Sequence, residues 1–289
     1  TPTTSSAASD VYKRQSEHAV TFADESMEMV SYYAIKSSSD LAAERGAYSS
    51  YKGSLWSKGI LPLDSVELLK KERGEEFIEV DTTTRLDWEG LKKIVKKQGM
   101  RNSNVMAIAP TATIANITGL TQSIEPTYSN LFVKSNLSGE FTIINMHLVD
   151  ALKEIGMWDE VMVYDLKNLN GSLEGINRVP EELKKLFATS FEVEPKWLIE
   201  AASRRQKWID QSQSLNLYVS EPNGKKLDVM YKMAWLRGLK TTYYLRSRSA
   251  TTSEKSTITN LELNAVAANQ GSEAPEACSI LDPDCEACQ

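Results

Sequence analysis

SLNLYVSEPNGKKLDVMYKMAWLRGLKTTYYLR, residues 214–246, settles the fold class. SLNLYV (214–219) is short and apolar, as a packed strand should be. EPNGKK supplies the Pro, Asn and Gly of a turn. Residues 226–237 carry a helical pattern, and TTYYLR (241–246) is β-branched and aromatic, again strand-like. Strand, helix and strand in so short a span imply a parallel pair joined by a right-handed crossover. Strands alternating with helices make the class α/β.

Working outward, Met27, Val30, Ala34 and Leu41 recur at helical spacing between Ser16 and Arg45, and Gly46 is the stop. A Gly/Tyr/Ser-rich loop and a charged stretch lead to Asp87, which caps a helix with inner face Trp88, Leu91 and Val95 and end Gly99. VMAIA (105–109), bounded by Asn104 and Pro110, predicts a buried strand. PTATIANITG (110–119) then predicts a loop entering a helix near Ile114. Further helices are expected over 145–155, 180–189 with Pro180 at the first helical position, and 195–211, with a turn at Asn170-Gly171. Beyond Thr252 the pattern fails, and 253–289 reads as a flexible, polar tail. The opening TPTTSSAASDVYKRQ (1–15) has no apolar core for a secretion signal and is expected to be a non-native leader.

The 289 residues are 41% hydrophobic and 25% charged, which fits a globular protein. The net charge of −6 argues against a nucleic-acid partner. No apolar run approaches the roughly 20 residues of a membrane span, so no membrane partner is expected. The three cysteines, Cys278, Cys285 and Cys288, fall at the extreme carboxyl end and do not make a disulfide framework. A reducing cytoplasm is the expected location.

Three places carry chemistry. Pro110, Thr111, Ala112, Thr113 and Ile114 form a turn of small residues before a helix. There a ligand can approach the backbone, and the N–H groups of a helix start attract phosphate. A plain Thr-capped helix start is the commoner meaning of such a turn. Tyr243-Tyr244 reads first as one aromatic residue on each face of a strand, with a pair of phenols exchanging electrons and protons as the functional alternative. Cys285 and Cys288 make C-x-x-C, a dithiol/disulfide spacing. Zinc is the weaker reading, because a structural site takes four ligands and His18 and His147 are distant in sequence.

SKGIL, DWEGLKKIVKKQGMRNSNVMAIAPTATIAN, SIEPTYSN, SGEFTIIN, WIDQSQSLNLYV and GLKTTYYLRS, in that order, resemble the carboxyl-terminal portion of the large (alpha) subunit of class I ribonucleoside-diphosphate reductase. With the tail pair the resemblance covers residues 16–289. It implies a fold: the carboxyl-terminal part of a ten-stranded α/β barrel over 16–252, followed by a redox-active tail over 253–289. It implies an activity: radical reduction of ribonucleoside diphosphates to 2'-deoxyribonucleoside diphosphates for DNA synthesis. By the same resemblance residues 110–114 hold the substrate diphosphate. Tyr243, nearer the catalytic cysteine, and Tyr244, nearer the subunit interface, relay a radical. Cys285 and Cys288 re-reduce the active-site disulfide, and a flexible tail reaching roughly 30 Å suits that shuttle. Cys278 takes no role.

The implied partners are a ribonucleoside diphosphate, a metal-containing small (beta) subunit that supplies the radical, a second alpha subunit, and thioredoxin or glutaredoxin. No cofactor is expected on this stretch itself, and the family's nucleotide-effector sites match nothing here. The family's thiyl-radical cysteine also has no counterpart, since no cysteine precedes Cys278. The chain alone is therefore expected to be inactive. An adenosylcobalamin-dependent reductase would not need the tyrosine pair, so TTYYLR favours the two-subunit enzyme. The alternative from another class is a non-enzymatic nucleotide-phosphate-binding α/β module with a redox-sensing or zinc-binding tail.

Overall fold

Ser16 opens the longest described helix by accepting the N–H of Ala19 on its hydroxyl, and Gly46, at φ +81°, closes it. This helix, α1 (Glu17–Arg45), appears in a computed structural model that describes residues 13–136 and 139–248. The tail cysteines lie outside the described residues, as do residues 1–12 of the expected leader. Of the leader's last three residues, Lys13 pairs with Glu182, Arg14 donates to the Ile124 carbonyl at 3.0 Å, and Gln15 donates to that of Glu192 at 3.3 Å.

After α1 come α2 (Leu55–Lys58), α3 (Ser65–Arg73), a 3-10 turn (Glu75–Phe77) and α4 (Trp88–Gln98). Asp87 caps α4 by accepting the Gly90 N–H at 2.8 Å, and Trp88, Leu91 and Val95 are its buried residues, as the periodicity predicts. They pack with Met27, Ile35, Trp56 and Trp208 in one core, where Trp88 stacks on Trp208 with centroids 5.1 Å apart.

Next follow α5 (Ala112–Thr118), an antiparallel hairpin of β1 (Leu131–Asn136) and β2 (Gly139–Ile144), and α6 (Met146–Glu154), α7 (Glu160–Asn168) and α8 (Glu181–Leu186). Leu131, Leu148, Leu152, Met162, Leu166 and Ile176 fill the core they share. The chain ends its described part with α9 (Pro195–Gln206), β3 (Leu217–Val219), α10 (Gly224–Leu236) and β4 (Leu245–Ser247). β3 and β4 pair in parallel with Leu217 opposite Leu245, which keeps the strand–helix–strand order read from the sequence but shortens both strands, so that Tyr243 and Tyr244 precede β4 rather than lying on it. A third core lies between β3 and helices α9 and α10.

Several expectations need correction. VMAIA is not a buried strand: Val105, Met106 and Ile108 are half-buried, Ala107 and Ala109 are exposed, and the run forms a single parallel bridge, Ile108 to Gln213. Its ladder is cut short because the Asp210 carboxylate takes the N–H groups of Val105 and Met106, at 2.7 and 2.9 Å. The helix expected over 195–211 stops at Gln206. The carbonyls of Ile209, Asp210 and Gln211 instead accept from the Lys240 ammonium at 3.1–3.2 Å. Pro180 precedes α8 rather than starting it, since its ψ of 141° is extended. The hairpin is not legible in the sequence, because its exposed strand, β2, shows no inward-facing period.

One segment organises the site. Residues 211–219 meet 106–108 along one edge, through Ile108 N–H to Ser212 O and Ser214 N–H to Ile108 O. Along the other edge they meet 241–247, through Thr241 Oγ1 to Gln213 O and Tyr243 N–H to Leu215 O. The run that leads into the 110–114 loop and the segment that carries the tyrosines, just ahead of β4, therefore flank the same backbone.

Candidate functional site

Tyr243 and Tyr244 do not sit on opposite faces. Their rings are tilted together with centroids 4.1 Å apart, their phenol oxygens are 3.4 Å apart, and both side chains are about half exposed. The backbone explains why alternation fails. Tyr243 donates its N–H to Leu215 O at 2.7 Å, while Leu217 donates to Tyr244 O at 2.9 Å. Two residues thus oppose the single residue Asn216, which is a β-bulge, and a bulge re-aims side chains that would otherwise alternate. The Tyr244 N–H displaced from the ladder goes to Asn216 Oδ1 at 3.3 Å. The hydrogen bond with Tyr244, then its charge and finally burial push the Tyr243 phenol above its ordinary pKa. The Arg246 guanidinium lies 5.2 Å from the centre of the Tyr244 ring.

The loop 110–114 is at the surface: Pro110, Ala112, Thr113 and Ile114 are exposed and Thr111 is half-buried. Thr111 takes the N-terminal position of α5 at φ +51°, a conformation costly for a β-branched residue, and its side chain makes no capping bond to the helix. Its hydroxyl instead accepts the N–H of Ser123 at 3.1 Å, and that N–H also reaches Pro110 O at 3.2 Å. Ser123 is itself left-handed, at φ +61°. The segment after α5 is thereby folded back against the loop. The helix starts two residues earlier than expected, and it is not the side-chain-capped start that the commoner reading required.

Ser123 leads to a residue that the motifs did not single out. Glu125 is 4% exposed, and its carboxylate accepts from the Asn216 backbone N–H at 2.8 Å and from Asn216 Nδ2 at 3.4 Å. Its own N–H is received by Ser123 Oγ at 3.3 Å. Beside it, a cavity of about 30 Å³ is lined by Glu125, Arg14 and Arg205 among apolar residues. Burial, and then the charge of Arg14, lower Arg205 to about 10 against the opposing pull of Glu125. SIEPTYSN and SLNLYV contain Glu125 and Asn216, but nothing local in either stretch gives these residues a role, because each matters through the other, 91 residues away along the chain. Among the described residues no group of three His, Cys, Asp or Glu side chains is placed to hold a metal ion, and no helix is long and apolar enough to cross a membrane.

Known proteins resemble this chain along most of its length. The chain is 56% identical over 287 residues to the ribonucleoside-diphosphate reductase subunit alpha of Chlamydia trachomatis, an alignment covering 95% of this chain and 27% of that protein. It is 43% identical over 223 residues to the ribonucleoside-diphosphate reductase large subunit of Danio rerio, covering 76% and 26%. The class Id ribonucleotide reductase alpha subunit of Actinobacillus ureae superposes with a TM-score of 0.61 at 25% identity, over 84% of this chain and 37% of that one. The chain thus spans about a quarter of the length of the curated relatives it matches. The model of the ribonucleotide reductase barrel domain matches residues 6–245, so the chain belongs to that family and its α/β elements are part of a reductase barrel.

Proposed function

We propose that this chain is a carboxyl-terminal portion of the catalytic subunit of a ribonucleoside-diphosphate reductase, and that it contributes three parts to the reaction. The observation that carries the reading is the tyrosine pair. In a chain of this family, a bulge brings two half-exposed phenols to 3.4 Å, close enough to pass a hydrogen atom as an electron and a proton together. Packing alone gives no reason for such a pair, since neither ring is buried. Tyr244 receives the oxidising equivalent from a small, metal-containing subunit and Tyr243 carries it inward. Pro110 to Ile114 hold the substrate diphosphate, mainly through the N–H groups at the start of α5. Cys285 and Cys288 return electrons to the active site by thiol–disulfide exchange, and thioredoxin or glutaredoxin reduces them in turn. A cytoplasmic setting and pairing with a second alpha subunit complete the reading.

The substrate radical must be generated by a thiol outside this stretch, because residues 1–277 contain no cysteine. The test is a chimera in which this chain replaces the corresponding segment of the Chlamydia trachomatis subunit. The chimera, supplied with a radical-loaded small subunit and a dithiol protein, should reduce a ribonucleoside diphosphate, whereas the isolated chain should not. Tyr243→Phe and Tyr244→Phe should each drop chimera turnover to background. A pair variant that turns over at the parent rate would overturn the relay.

A further inference from the structure

The bulge that makes the tyrosines neighbours frees a backbone N–H, and such a group must find an acceptor or lose stability. Asn216 Oδ1 is that acceptor. An asparagine amide can point either way, and what fixes this one is Glu125. The carboxylate is acceptor-only, so it draws Nδ2 towards itself at 3.4 Å and leaves Oδ1 facing Tyr244. Both side chains are more than nine-tenths buried, so water does not compete for either bond.

The same carboxylate belongs to the segment that folds back on the loop. The bonds run from Thr111 Oγ1 to Ser123 N–H, from Ser123 Oγ to Glu125 N–H, from the Glu125 carboxylate to Asn216, and from Asn216 to the Tyr244 N–H. Each distance lies between 2.8 and 3.4 Å. The two left-handed residues, Thr111 and Ser123, sit at the loop end of this path.

We propose that Glu125 and Asn216 are positioning residues that hold the tyrosine pair in its bulged, ring-to-ring geometry and couple that geometry to the backbone of the 110–114 loop. The proposal deepens the reading of the loop and the pair given above. Occupancy of the loop would then be felt at Tyr244 without either tyrosine touching the substrate.

The chemistry gives a test by polarity reversal. In Glu125→Gln, an amide N–H faces Asn216 Nδ2, two donors meet, and Asn216 must turn its oxygen away from Tyr244. In Asn216→Asp, two carboxylates meet. In the double variant, the introduced glutamine accepts the backbone N–H of residue 216 on its amide oxygen. Its amide nitrogen donates to the introduced aspartate, which again accepts from Tyr244. The measurement is the fluorine resonance of 3-fluorotyrosine placed at position 244 of the full chain. It should move in each single variant and return most of the way in the double variant. Thr111→Val, at the far end of the path, should move it in the same direction by less. Fluorotyrosine at position 231, on α10, should stay put throughout.

A resonance unmoved by the single variants, or displaced by their sum in the double, would overturn the positioning role. One unmoved by Thr111→Val would overturn the coupling to the loop. Where a buried single variant fails to fold, as judged by circular dichroism, Thr111→Val still tests the path through Glu125 and Asn216, and a resonance that it leaves unmoved would overturn the proposal. No diphosphate is needed in this experiment. It therefore fails or succeeds independently of whether the loop binds substrate, which the chimera tests.

Discussion

Tyr243 and Tyr244 share one hydrogen bond between two phenols, and that bond holds the Tyr243 proton more firmly than water would. Replacing Tyr244 with Phe removes the bond and the neighbouring negative charge together. The Tyr243 pKa should then fall back towards the ordinary tyrosine range, as read from phenolate absorbance against pH in the variant. A Tyr243 titration unchanged by Tyr244→Phe would mean that the two phenols are not in contact. The identity of this pair is legible in TTYYLR, but its geometry is not. Strand alternation is a rule about regular ladders, and one extra residue opposite Asn216 cancels it. The same limit hides Glu125: a carboxylate between Ile124 and Pro126 shows its purpose only when Asn216 arrives from another part of the chain.

At the scale of elements, the legible parts are those whose signals are local. Asp87 and Gly99 bracket α4, and Pro, Asn and Gly bracket the crossover between β3 and α10. Asn170-Gly171 reads as a turn, and both residues do have positive φ, at 53° and 75°. What the dipeptide cannot say is that Gly171 lies directly under the start of β1. A methyl group there would meet Leu131 N and Asn130 N at 2.5 and 2.6 Å, and Ser129 Oγ at 2.4 Å. Gly171→Ala should therefore destabilise the chain by more than about 1 kcal/mol, combining left-handed strain with displacement of the hairpin. Urea unfolding would check it. Gly156→Ala is the control, since Gly156 has a similar φ of 68° but open space around its α-carbon, so it should carry the strain alone.

Across the whole molecule, α1 and α9 are joined by buried charge rather than by apolar contact alone. Asp24 of α1 is fully buried, and it accepts Trp208 Nε1 at 2.6 Å and the Lys207 ammonium at 3.0 Å. Glu28, one turn on, takes the backbone N–H groups of Arg85 and Leu86 and the Trp88 indole at 2.7–3.0 Å. Lys207 and Arg204 each reach Asp81 at 2.7 Å. Asp24, Glu28, Asp81, Arg85, Arg204 and Lys207, from three stretches of the chain, thus meet at one seam. Such a seam is specific but unforgiving, because removing one partner strands the others away from water. Asp24→Ala should cost about 3–5 kcal/mol in urea unfolding, the penalty of leaving a buried lysine half-paired.

The seam also sets the response to acid. Burial pushes the Asp81 carboxyl up, but hydrogen bonds from Lys207 and Thr83, with the charges of Lys207 and Arg204, outweigh it and hold the group well below the usual carboxylate range. Burial likewise raises Glu28, and its four hydrogen bonds reverse the sign. A carboxylate whose pKa is lower folded than unfolded adds stability above its unfolded value of about 4. That stability is lost as pH falls from there through the folded value. The chain should therefore keep its stability between pH 7 and about pH 5 and lose it steeply below about pH 4. Asp81→Asn should lower stability at pH 7 yet flatten the decline below pH 4, because the unfolded chain then has one fewer carboxylate to protonate ahead of the folded one. Urea midpoints for parent and variant at pH 7, 4 and 3 decide it. Parallel declines would mean that Asp81 is not linked to folding and that acid sensitivity arises elsewhere, at Glu28 or at Asp159, which Arg178 also holds low.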